Sequence, residues 1–231
     1  MAPARANLAF LAFILAAQVL VGFGLLDRRA SQPALTPPPT RDVALASALG
    51  DGEFFFRNGA LKMLNIGVGG GELVPMRDLD YADLTGWFSL LDSLDPRSVL
   101  VPYLAAYWYG FTPNTADARY IITYLLERAA HDETYGWRWR VQAMFLAKHR
   151  LGDLRLALAI AEDLASRDDP QAPYWVKHMP AFMMESLGER EAALILLTGI
   201  MESKPDMSDD ERDALNRAIE RLNDEESGET R

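Results

Sequence analysis

The chain of 231 residues predicts an all-α domain behind one transmembrane helix. Three observations carry that reading. Leu8 to Leu26 is nineteen residues without a charge, apolar residues farther on recur at three and four positions, and alternating strand-like runs are scarce.

Composition narrows the function classes. There is no Cys, which excludes a disulfide-stapled miniprotein, a thiolate zinc site, a cysteine nucleophile and an iron-sulfur centre. Net charge is −10, and from Asp42 onward 19 bases stand against 32 acids. A broad nucleic-acid surface needs clustered Lys and Arg, so no nucleic-acid partner is expected.

The elements follow in chain order. Residues 1–7 form a short tail. Residues 8–26, at roughly 1.5 Å per residue, make a helix about 28 Å long, close to the hydrocarbon thickness of a bilayer. The segment reads as an anchor or uncleaved signal. A cleaved signal peptide is the competing reading, but its apolar part is usually shorter and ends at a small-residue site, whereas this run ends at Asp27-Arg28-Arg29. Arg5 on one side against Arg28 and Arg29 on the other gives no clean orientation. An export-like amino terminus and an acidic domain favour an inner-membrane protein with its domain on the periplasmic side. Residues 27–41 carry Pro33 and Pro37-Pro38-Pro39, which predicts a semi-rigid spacer.

Residues 42–223 are expected to be helical, with spans 43–66, 80–95, 97–110, 114–131, 135–151, 153–168, 172–187, 189–204 and 208–223. Asp95-Pro96, Thr112-Pro113 and the Ser208/Glu211 capping box mark starts. Gly67 to Gly71 reads as a connector. Leu215, Ala218, Ile219 and Leu222 give the last helix one apolar face, so it should cap the domain. Residues 224–231 read as an acidic, disordered tail.

A period is visible in the second half. Leu151-Gly152-Asp153 with Ala157 and Pro170 recurs as Leu187-Gly188-Glu189 with Ala193 and Pro205, 36 residues on for the Leu-Gly pair. Helical hairpins of this size bury their apolar faces only by stacking. The pattern resembles the tetratricopeptide repeat, closely over 137–205 and weakly over 80–131. That resemblance implies a right-handed α-solenoid of antiparallel helix pairs that acts by binding protein.

It also implies a groove lined by positions 2, 5, 9 and 12 of each first helix. Counted from the inter-helix glycines, these are Arg97, Leu100, Leu104 and Tyr107, then Trp139, Gln142, Leu146 and His149, then Trp175, His178, Phe182 and Glu185. The partner-binding groove is therefore expected at Arg97, Tyr107, Trp139, Gln142, His149, Trp175, His178, Phe182 and Glu185. Trp139 and Trp175 should each be partly accessible. Independently, Trp137-Arg138-Trp139-Arg140 must span the circumference of its helix, so at least one Trp or Arg has to face outward.

No chemistry competes with this reading. His131, His149 and His178 fall in no metal-ligand spacing, so no metal and no cofactor is expected. Gly67 to Glu72 lacks the Lys-Ser/Thr ending of a phosphate loop, and there is no G-x-S-x-G elbow. The expected role is a membrane-anchored adaptor or assembly factor of an envelope complex, not an enzyme. The alternative is an accessory subunit of an envelope enzyme or secretion machine that guides substrate.

Overall fold

The computed structural model describes residues 13–20, 35–66, 75–203 and 207–228, and every regular element among them is helical. Residues 13–20 are helical, while the rest of the apolar run and the connector Gly67 to Gly71 lie outside the described residues. Among the described residues no helix is long and apolar enough to cross a membrane.

The helices are α1 (Arg41–Ser47), α2 (Gly52–Leu64), α3 (Tyr81–Leu94), α4 (Leu100–Tyr107), α5 (Ala118–Ala130), α6 (Gly136–Leu146), α7 (Leu154–Ser166), α8 (Met179–Ser186), α9 (Arg190–Ser203) and α10 (Asp209–Gly228). From α5 onward each packs on the next, and α3 also reaches α5 as α4 reaches α6. Short polar side chains start several of them. Asp51, Asp80 and Asp153 accept backbone N–H bonds from the first turns of α2, α3 and α7, each worth about 1 kcal/mol. Ser208 and Glu211 form the expected capping box.

The period of 36 has a structural counterpart. Arg119 pairs with Asp153 at 3.6 Å, and Arg155 pairs with Glu189 at 3.0 Å. Both partners are displaced by 36 residues, so one contact is made twice. Gly152 and Gly188 sit at the same corner with φ of 72° and 80°. That left-handed conformation closes a helix at little cost only for glycine.

Three expectations are corrected. Residues 43–66 are two helices rather than one, because the chain turns through Leu49 (φ 54°) and Gly50 (φ 88°) before Asp51 restarts it. The boundary expected at 223 falls inside α10, which runs to Gly228; residues 229–231 lie outside the described residues. The carboxy-terminal half of the expected spacer is part of the domain. Leu35 is buried in the core, the Trp87 indole donates to the Thr36 carbonyl at 2.7 Å, and Pro38 lies so close on Gly86 that a Cβ there would meet its ring at 2.8 Å. Proline stiffness makes this docking cheap, since an extended strap has little entropy left to lose.

The apolar interior divides in two. The larger core runs from Leu35 to Met183 and centres on Phe88, Tyr109, Ile121, Leu125 and Leu146. The smaller is built from Ala181, α9 and α10, with Leu197, Leu215 and Leu222 at its centre. Phe182 and Met184 of α8 touch both.

Candidate functional site

The expected groove residues do not share one face. Trp139 is 4% exposed and Leu146 is fully buried, so both belong to the core. His178 is buried with its ring edge-on to Tyr174 at 5.5 Å, Phe182 packs between the two cores, and Glu185 is held by Arg221 through paired contacts at 2.9 Å. Arg97 is exposed at the approach to α4. Tyr107 and Gln142 do come together, and His149 lies on the same outward stripe as Gln142.

A π-turn over Ala147–Leu151 explains the displacement. A π-turn holds one residue more than an α-turn, so counting back from Gly152 lands one position late at Trp139 and Leu146, while Gln142 stays on the outward face. The outward stripe of α6 and the π-turn after it is Arg138, Gln142, Phe145 and His149, at intervals of four, three and four. Trp139 and Arg140 turn inward, which leaves Arg138 as the member of the Trp-Arg run that faces solvent.

The face continues from helix to helix. On α4, Tyr103 and Tyr107 are about half exposed with ring centroids 4.6 Å apart, and Gln142 of α6 donates to the Tyr107 hydroxyl at 2.7 Å. Arg138 stacks over Tyr135 and Trp137 at 5.2 and 5.1 Å. Trp137 meets Trp175 edge-on at 6.0 Å, and Phe145 lies 4.5 Å from His149. Tyr103, Arg138 and Phe145 were missed in the expected set, although Tyr103/Tyr107 and Phe145/His149 are both i, i+4 pairs. Such a surface combines large rigid contact area with hydrogen-bonding tips, as binding surfaces do.

A second constellation lies between α3 and α5. The Tyr124 hydroxyl donates to Asp92 Oδ2 at 2.6 Å, and Arg128 stands 3.5 Å from the same oxygen. Arg128 also reaches Asp132 at 3.1 Å and the Pro96 carbonyl at 2.8 Å. Trp139 completes the set by donating its indole N–H to Asp132 at 3.0 Å. Burial pushes the Asp92 carboxyl up from 3.8 to about 6, against the pull of the Tyr124 hydrogen bond and of Arg128. A 380 Å³ cavity with Ser89, Ser93, Glu127 and His131 on its walls opens over this network.

No family model, curated protein or solved structure matches the chain.

The network and the aromatic face therefore stand on their geometry. Among the described residues no three of His, Asp and Glu converge as a metal ion would need. What the Asp92 network can do is take up a proton near pH 6. A carboxyl that binds its proton more tightly when folded adds stability below pH 3.8, and loses that contribution as pH rises through about 6. Asp92→Asn is expected to remove this component, worth roughly 2 to 3 kcal/mol between pH 4 and 7. Urea unfolding of both proteins across that range should show a flatter profile for the variant; parallel profiles would exclude Asp92 as the titrating group.

Proposed function

We propose that the chain is a membrane-anchored protein-interaction module, a right-handed, tetratricopeptide-like solenoid whose α4/α6 face receives a protein partner. The observation that carries this is the outward set Tyr103, Tyr107, Arg138, Gln142, Phe145 and His149, continuous over two helices. The repeat reading is supported by the twofold contact of Arg119–Asp153 and Arg155–Glu189 and by the matching glycine corners. Residues 8–26 are its anchor in the inner membrane, with the domain on the periplasmic side. Its role is that of an adaptor or assembly factor for an envelope complex, and it contributes no chemistry of its own.

With a single cation on that face, the partner segment is neutral or basic and bears apolar or aromatic side chains, since the domain around it is strongly acidic. A photo-crosslinker at Phe145 in intact membranes should capture a discrete partner that the same group at Ile195, exposed on α9, does not. Tyr107→Ala with Phe145→Ala should weaken that association by about tenfold or more, with stability changed by no more than about 1 kcal/mol. Equal capture from both positions, or unaltered association of the double variant, would remove this face from the function.

A further inference from the structure

The amino-terminal end of the domain carries a second outward surface, and it differs in kind from the aromatic face. Phe54 and Leu61 lie seven residues apart on one stripe of α2 with Leu64 beside them, and all three are about half exposed. Asn58 and Asn65, on the same stripe, each donate an amide N–H back onto the Phe54 and Leu61 carbonyls. Leu49 is 98% exposed at the turn that leads into α2, held there in a left-handed conformation.

Two facts say what covers this surface. The first is reach. The strap enters the fold beside α2, because Trp87 donates its indole N–H to the Thr36 carbonyl while its ring stacks on Phe55 and carries the Lys62 ammonium over its face. Residues 27–34 alone separate buried Leu35 from the apolar run, and eight extended residues span no more than about 29 Å. The second is charge. Residues 35–66 hold three bases and three acids, whereas residues 67–231 hold 17 bases and 29 acids. An anionic bilayer surface would repel the second part and admit the first.

We infer that the α2 face, with Leu49, Phe54, Leu61 and Leu64, rests in the lipid interface and fixes the orientation of the domain on the membrane. The inference depends on residues 8–26 being the anchor proposed above. Apolar side chains of this kind enter the headgroup boundary by about 5 to 10 Å. The aromatic α4/α6 face is then held at a set angle to the bilayer instead of swinging on a tether.

Because the chain has no Cys, single cysteines can carry a fluorophore in the full-length protein. Leu61→Cys, Phe54→Cys, Val19→Cys and Ile195→Cys are to be labelled with an environment-sensitive dye. Each is reconstituted into phosphatidylcholine vesicles with roughly one phosphatidylglycerol in four, without spin label, with lipid spin-labelled near the headgroup, and with lipid spin-labelled deep in the acyl chain as the quencher for residue 19. Labels at residues 54 and 61 should lose about half their emission to the spin label, as expected at interfacial depth, and the label at 195 should lose none. Quenching at 19 but not at 54 or 61 overturns the inference and leaves the anchor intact. Absence of quenching at 19 overturns the anchor itself. Labels at 54 and 61 shielded from aqueous iodide yet untouched by spin-labelled lipid would mean that protein covers the face, which also overturns the inference.

Discussion

Trp139→Ala is expected to cost about 3 to 5 kcal/mol of folding stability, the scale of emptying a core aromatic site. The side chain is 4% exposed and lies in the larger core, and its indole N–H is one of the donors that hold the Asp132 carboxylate. Trp139→Phe separates the two contributions. It keeps most of the volume and removes the hydrogen bond, so a loss of about 1 to 2 kcal/mol should remain. Urea unfolding measures both. A Trp139→Ala protein of unchanged stability with a binding defect would return Trp139 to the surface role that the repeat pattern first suggested.

The second large effect belongs to Arg128. Its side chain is 6% exposed and neutralises two carboxylates, Asp92 and Asp132, that are themselves 12% and 8% exposed. Arg128→Met fills much of the space but leaves both acids without their cation, and breaking a buried pair in this way costs about 3 to 5 kcal/mol. The loss should shrink at pH 5. With Arg128 gone only the Tyr124 hydrogen bond opposes the burial that already raises the Asp92 carboxyl to about 6, so at pH 5 Asp92 takes a proton and one uncompensated charge disappears. Stability curves at pH 5 and pH 7 provide the comparison; an equal loss at both would mean that the charge of Asp92 is not what Arg128 compensates.

These two residues also show where sequence reasoning reached and where it stopped. Helix positions were legible because apolar spacing and Asp or Ser caps act within one or two turns, and α3, α7, α9 and the capping box before α10 lie within two residues of expectation. The break at Leu49-Gly50 was hidden by apolar residues on both sides that fit a helical period as well as a turn. Docking of the strap depended on Trp87, some fifty residues away in sequence, meeting the Thr36 carbonyl. No local signal encodes such a contact. The π-turn is a subtler case: a count taken back from Gly152 along an unbroken α-helix misses its extra residue and is rotated at Trp139 and Leu146. That rotation separates Trp139 from Phe145 as the outward aromatic. The charge network was missed because Asp92, Arg128 and Asp132 look like ordinary surface residues until α3 and α5 enclose them.

The division of the interior has a consequence for cooperativity. Leu197, Leu215 and Leu222 bury one another with little help from the larger core, and α8 is the seam, through Phe182 and Met184. Two apolar clusters that meet only at a seam are each stabilised mainly by their own burial and by the contacts across it. Opening of α9 and α10 would expose the seam while Phe88, Ile121 and Leu125 stay covered, so a partly unfolded state that keeps the larger core is expected. Trp139 and Arg128 both lie on the larger side, so their replacement lowers the later, more resistant step and leaves the first where it was. Unfolding would then be described by one free energy for each side of the seam and a coupling between them, and the losses expected for Trp139 and Arg128 refer to the larger side.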